Sequence, residues 1–260
     1  MHGRWPQAES VGDFRQNVNV VNARIAKACQ RSGRPAESVR LLPISKTKGE
    51  SAIRLAYAAG IRNFGENKVQ EAQQKWELTG DLTDVQWSIV GHLQTNKAKS
   101  VARFASEFQA LDSFRVAVEL DRHLSRERRQ LDVFIQVNTS NEASKYGLPP
   151  EEVAAFLKSI APISTLRVRG LMTLAIFSDE MDRVRDCFVR LRKLRDQLLQ
   201  EVPDPALLGH LSMGMSGDFE IAIEEGATVV RVGQAIFGAR TTPDGHYWPS
   251  ASSESLAAPE

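Results

Sequence analysis

Between residues 39 and 237, short apolar runs alternate with longer stretches whose apolar residues fall at helical spacing, and the alternation repeats eight times. No other feature restricts the chain so far, because strict strand–helix alternation builds a parallel sheet whose strands are buried on both faces. The pattern predicts strands over 39–44, 61–64, 85–90, 107–111, 131–137, 166–174, 207–211 and 228–232. Helices are predicted between them over 50–59, 67–78, 95–104, 114–125, 151–160, 180–200 and 219–226, with a short helix after the last strand. Ahead of the repeat, Phe14, Val18, Val21, Ile25 and Ala28 mark one face of a further helix over 11–31, capped at Ser10 or Asp13 and closed at Gly33. Eight strands favour an α/β protein built as a single (β/α)8 TIM-type barrel with an extra N-terminal helix; an open flavodoxin-like or Rossmann sheet is the structural alternative. The 260 residues suit one barrel, since such barrels take about 200 to 250 residues.

Composition narrows the partners. With 33 basic against 32 acidic residues the formal charge is +1, so no global field argues for nucleic acid, a membrane surface or a polyanion. The expected ligand is small. Cys29 and Cys187 lie in helical patterns without CxxC or Cys/His spacing, which argues against a disulfide framework and against a metal site. No apolar stretch reaches the roughly 18 residues of a membrane span and residues 1–10 lack a signal-like apolar core, so a cytoplasmic protein is expected. The expected organisation is a flexible segment over 1–10, a barrel over 11–240 and a disordered tail over 241–260, where Thr, Pro, Ser and Ala dominate.

Polar residues collect at the C-terminal ends of the predicted strands, where barrel active sites are built: Ser45-Lys46-Thr47, Gly65-Glu66-Asn67, Gly91-His92, Asp112-Ser113, Asn138-Thr139-Ser140, Met172-Thr173, Ser212-Met213 and Gly233-Gln234. Phosphate sites in barrels recur after strands seven and eight, beside a short extra helix whose amides and dipole favour an anion. Residues 212–218 and 233–238 occupy those places, with glycines at 214, 217 and 233 and hydroxyls at Ser212 and Ser216. Either segment alone reads equally well as a tight turn; the pair favours phosphate. Lys46 ends the first strand, which neighbours the eighth in a closed barrel, so its amine would face that phosphate. An amine facing a phosphate site suggests a pyridoxal phosphate aldimine on Lys46. Arg231 interrupts an apolar strand and needs a partner there. Either it forms an ion pair at the rim, or it faces the pyridine nitrogen of the cofactor, where a permanently charged donor weakens the ring as an electron sink. Asn67 and His92 share the rim, and His92 reads better as a satisfied hydrogen-bonding residue than as a catalyst. Lys97 and Lys99 read as a solvated helix face or a secondary anion contact, and Lys145, in the polar loop over 141–147, as a second amine above the same end.

The motifs Pro43-Ile44-Ser45-Lys46-Thr47-Lys48, Asn63-Phe64-Gly65-Glu66-Asn67, Val90-Gly91-His92-Leu93-Gln94, Ser144-Lys145-Tyr146-Gly147, Arg169-Gly170-Leu171-Met172-Thr173, Leu211-Ser212-Met213-Gly214-Met215-Ser216 and Arg231-Val232-Gly233-Gln234-Ala235-Ile236-Phe237-Gly238 together resemble the pyridoxal phosphate homeostasis protein family, the YggS/PROSC group. The resemblance runs in motif order from about residue 11 to residue 240. It implies a fold-type III barrel similar to the N-terminal domain of alanine racemase, with pyridoxal 5′-phosphate as cofactor and Lys46 as the aldimine lysine. It also implies phosphate contacts from Ser212 and the Gly233-Gln234 backbone, with Met213 alongside, Arg231 at the pyridine nitrogen and Asn67 beside the ring. Gln234 stands where the family commonly has a hydroxyl residue, and Gly49 where it often has proline.

The implied role is a monomeric carrier that holds the cofactor reversibly and buffers it or delivers it to apo-enzymes, without strong turnover. A racemase needs acid and base groups on both faces, and in the alanine racemase relatives one comes from a second domain for which the residues after Arg240 are too few. The competing functions are a single-domain racemase or decarboxylase, and an interaction protein regulated by the cofactor.

Overall fold

The computed structural model describes residues 5, 7–140, 142, 145–201 and 208–239. The expected tail over 241–260 lies outside the described residues, as do residues 1–4 and 6 of the expected flexible segment.

The eight predicted strands form as β1 (Arg40–Pro43), β2 (Asn63–Glu66), β3 (Gln86–Ile89), β4 (Glu107–Leu111), β5 (Leu131–Gln136), β6 (Leu166–Met172), β7 (His210–Ser212) and β8 (Val229–Val232). They pair in parallel in the order β1-β8-β7-β6-β5-β4-β3-β2. Pairing of the first strand with the last excludes the open sheet, and a single bridge between Ile44 and Gly65 joins β1 to β2. The result is a nearly closed barrel of eight parallel strands with helices between them. Close approach at the seams depends on glycine: a Cβ on Gly65 would lie 2.3 Å from Ile44 Cδ1, and one on Gly170 only 1.9 Å from the His210 carbonyl oxygen.

The connecting helices are α2 (Glu50–Ala58), α3 (Val69–Leu78), α4 (Ala98–Phe104), α5 (Phe114–Glu127), α6 (Val153–Ile160), α7 (Met181–Leu198), α8 (Phe219–Glu224) and the short α9 (Gln234–Phe237), preceded by α1 (Val11–Arg31). Two predicted helices, over 95–104 and 151–160, begin with a 3₁₀ turn instead, at Thr95–Lys97 and Pro150–Glu152. The sixth strand stops at Met172, two residues before its predicted end. The seventh lies at His210–Ser212 rather than over 207–211, and Leu207 is outside the described residues.

Helix α1 starts on a capping box: Ser10 Oγ accepts from the Asp13 amide while Asp13 accepts from the Ser10 amide. Its apolar face buries Phe14, Val21, Ile25, Ala28 and Cys29. Phe14 meets Phe237 edge-on at 5.3 Å, and Asn17 Nδ2 donates to the Ile236 carbonyl at 2.9 Å. The helix that stands outside the repeat therefore braces α9, the element expected at the phosphate. Cys29 and Cys187 are both buried free thiols, and no helix among the described residues is long and apolar enough to cross a membrane.

Candidate functional site: a lysine and a glycine-led helix at the mouth of the barrel

Lys46 leaves β1 in a tight turn, half-buried, and lines a shallow cleft with Ile44, Lys48, Gly233, Gln234, Phe237 and Gly238. The pairing of β1 with β8, which sets Pro43 opposite Val232, brings the amine and the start of α9 to the same opening. The Gly233 carbonyl accepts from the Ile236 and Phe237 amides at 3.0 and 2.9 Å, so α9 begins there, with Gly233 and Gln234 lining the cleft. A Cβ on Gly233 would come within 3.1 Å of the Ile44 carbonyl oxygen, so only glycine leaves this backbone fully approachable.

The two serines of the other loop part company. Ser216 Oγ accepts from the Gly233 amide at 3.3 Å, which places that hydroxyl beside one of the residues that line the cleft. Ser212 is fully buried; it donates to Gln109 Oε1 at 2.6 Å and accepts from Arg231 Nη1 at 2.7 Å. A hydroxyl carries one proton, and that of Ser212 is already committed inside the barrel. Met213 is also fully buried, within the apolar core, and its amide donates to the Val229 carbonyl at 3.1 Å. The divergence follows from Gly214, whose φ of +93° turns the chain between the two serines into a conformation that favours glycine.

Arg231 lies inside the barrel beneath the mouth, 3 % exposed. Its second nitrogen donates to the Thr173 carbonyl at 2.8 Å, and among the described residues no carboxylate comes within ion-pair distance. The rim ion pair weighed as its ordinary fate is thus not formed. Burial lowers its pKa to about 10, with Asp218 opposing, so Arg231 remains a cation at neutral pH. Its charge is connected to a carboxylate through a directed chain. Arg231 donates to Ser212, Ser212 to Gln109, and Gln109 Nε2 to Glu107 Oε1 at 2.6 Å, while Arg40 donates to the other Glu107 oxygen at 2.6 Å. Gln109 and Glu107, which sequence reasoning left out, hold Arg231 from below. Their signal is an alternation of polar residues in Glu107-Phe108-Gln109, a strand buried at every position.

Asn67 is half-buried at the exit of β2, its backbone so close to Gly91 that a Cβ there would lie 2.2 Å from the Asn67 carbonyl oxygen. His92 stacks on Tyr146 at 4.0 Å and stands 3.8 Å from Asp112, and it is not among the residues lining the cleft. Lys145 Nζ donates to the Ala175 carbonyl at 3.0 Å and pairs with Glu142. Lys97 sits in the turn before α4 and Lys99 within α4.

Behind the Lys46 turn lies a buried acid. Glu66 is fully buried, its Oε1 accepts from Lys75 Nζ at 2.6 Å, and its Oε2 has no hydrogen-bond partner among the described residues. Burial raises its pKa from 4.5 to about 7, with Lys75 opposing. Between those values the folded protein keeps a proton that the unfolded chain has released. The stability this group contributes is therefore present in full below about pH 4.5 and is lost as pH rises toward about 7. Denaturant unfolding across that window should show the decline in the wild type and a flatter profile in Glu66→Gln; identical profiles would rule the titration out.

Fold and site together define a barrel of the alanine racemase N-terminal class, and the family described as alanine racemase, N-terminal domain, matches residues 16–241. Alanine racemase of Clostridium difficile, 13% identical, shares the fold with a TM-score of 0.66 over 90% of this chain and 58% of that one. The chain belongs to the pyridoxal phosphate homeostasis protein family. It is 40% identical over 225 residues to the pyridoxal phosphate homeostasis protein of Aquifex aeolicus, covering 86% of this chain and 97% of that protein. To that of Pseudomonas aeruginosa it is 41% identical over 225 residues, covering 86% and 95%. Among solved structures it is similar to PipY of Synechococcus elongatus with PLP bound, at 36% identity and a TM-score of 0.74, over 84% of this chain and 100% of that one.

Proposed function

We propose that this protein binds pyridoxal 5′-phosphate at the mouth of the barrel, holds it through Lys46, and serves as a reservoir from which other proteins are supplied. The observation that carries the reading is the cleft that places the Lys46 amine and the glycine-led start of α9 on one opening. An aldehyde phosphate fits this pair: the amine replaces the aldehyde oxygen with loss of one water, and the amides of a helix start favour the phosphate. Gly233, Gln234 and the Ser216 hydroxyl would hold the phosphate, the last taking the part expected of Ser212. Asn67 flanks the ring, and Arg231 bears on its nitrogen from below. The names of the relatives and the PLP-bound PipY support this reading.

The cofactor, when bound, supplies a ring able to stabilise negative charge, and this chain's residues make little use of it. A cationic donor at the ring nitrogen keeps that nitrogen from acquiring its own proton. Apart from two lysines, the residues lining the cleft carry no acid or base, where racemisation needs one on each face. The reading therefore makes the protein a carrier rather than an enzyme, a cytoplasmic monomer whose partners are apo-enzymes that require the cofactor. Borohydride reduction of the loaded protein followed by peptide mass spectrometry should place a phosphopyridoxyl group on the Lys46 peptide. The loaded protein should reactivate an apo-enzyme while racemising none of a panel of amino acids above the free-cofactor background. Labelling at Lys145 or Lys97, or racemase turnover lost in Lys46→Ala, would overturn it.

A further inference from the structure

The turn that carries Lys46 is gripped from behind by ionisable side chains that binding of the cofactor does not use. Lys75, on α3 and 4 % exposed, donates to the Ser45 carbonyl at 2.8 Å, to Glu66 Oε1 at 2.6 Å and to Glu71 Oε1 at 2.7 Å. Glu66 Oε1 also accepts from Ser45 Oγ, and Glu71 Oε1 from the Thr47 amide at 2.6 Å. The residue before Lys46 is thus held by its carbonyl and its hydroxyl, and the residue after it by its amide. Thr47 has φ +68°, a left-handed conformation that is a genuine outlier for a β-branched residue and persists only where the surroundings over-determine it.

A buried lysine between two carboxylates is a poor way to gain stability, since desolvation offsets much of the attraction. Its geometry has a more specific use. Its three hydrogen bonds among the described residues end on the Ser45 carbonyl or on the carboxylates that hold Ser45 and Thr47, and β1 itself is joined to β2 by one bridge at this point. Apart from the cluster, the turn is held by the Ser45 amide on the Gly65 carbonyl and the Lys48 amide on the Ser45 carbonyl, both at 3.0 Å, neither of which fixes Thr47.

We infer that Lys75, Glu66 and Glu71 form a positioning cluster that fixes the Lys46 turn and so sets the direction in which the amine enters the cleft. This rests on the reading of Lys46 given above. None of the three residues lines the cleft; they act through the backbone on either side of Lys46. The cluster should therefore control how readily the amine reacts, and leave the phosphate end of the site as it is.

The experiment compares two ligands. Pyridoxal 5′-phosphate reports amine attachment by its absorbance and by borohydride trapping, and pyridoxine 5′-phosphate, which has an alcohol in place of the aldehyde, reports only noncovalent binding. Glu71 is partly exposed, so Glu71→Leu should fold. It should slow attachment to Lys46 by roughly tenfold while changing pyridoxine phosphate affinity by less than about twofold, a split worth ~1.4 kcal/mol. Glu71→Gln, whose amide oxygen can still accept from Thr47, should restore most of the rate. Lys75→Met should slow attachment at least as much; if it does not fold, the two Glu71 variants decide. Attachment at the wild-type rate in Glu71→Leu, or equal weakening of both ligands, would overturn the inference. Failure of the wild type itself to attach the cofactor at Lys46 would instead overturn the proposed function, so the two failures are distinct.

Discussion

Lys46→Ala should lose every borohydride-stable adduct and the absorbance of attached cofactor, yet continue to take up pyridoxal phosphate. The Lys46 amine is the group proposed to react with the aldehyde, whereas the phosphate would be held by other elements: the start of α9 and the Ser216 hydroxyl beside Gly233. Hydrogen bonds to a charged group contribute about 1.5–3 kcal/mol each, so two or three of them retain a ligand without a covalent link. Lys46 is only half-buried, and its loss should leave the thermal midpoint within a few degrees of the wild type. Equilibrium dialysis with spectral titration checks both halves. A variant that folds but binds no pyridoxal phosphate would show that the covalent link, not the phosphate, anchors the ligand.

The second large effect is expected from Ser216→Ala combined with Gly233→Val. The first change removes a hydroxyl donor. The second adds a side chain whose Cβ already falls 3.1 Å from the Ile44 carbonyl oxygen and 3.5 Å from Ile44 Cβ, so the backbone must shift away from the cleft. Two lost charge-assisted bonds amount to about 3–6 kcal/mol, or roughly 10²- to 10⁴-fold in affinity, measured by titration with pyridoxine 5′-phosphate. Ser212→Ala should behave differently. It leaves Gln109 and Arg231 without their shared hydroxyl, so it should lower stability more than affinity. An affinity loss in Ser212→Ala matching that of the double variant would return the phosphate to Ser212.

The barrel was legible because each strand is short, apolar and followed by a helix of the right length, and because eight such units call for closure. The lysine was legible because it stands alone at the end of the first strand. What stayed hidden was side-chain direction where two chemically equivalent choices sit close together. Ser212 and Ser216 both lie in one glycine-rich segment, and the left-handed turn at Gly214, a torsion that composition does not report, sends one into the barrel and the other to Gly233. Arg231 was legible as a cation needing a partner, but its partners are a hydroxyl and a carbonyl contributed by β7 and the residue after β6. These come together only when the barrel closes. The Glu66–Lys75–Glu71 cluster escaped for a similar reason. Lys75 and Glu71 are spaced like any solvent-facing pair on a helix, and burial comes from the packing of α3 against the exit of β1.

The single bridge between β1 and β2 gives the protein a preferred place to breathe. Local opening takes much less free energy than global unfolding where few backbone bonds hold two elements together, and this sparse join adjoins Lys46. Ligand bound as proposed, across Lys46 and Gly233, would reinforce the existing pairing of β1 with β8 and raise the free energy of any opening it opposes. A store that must surrender its contents can then do so by a small hinge-like parting of the staves beside the lysine, with the rest of the barrel undisturbed.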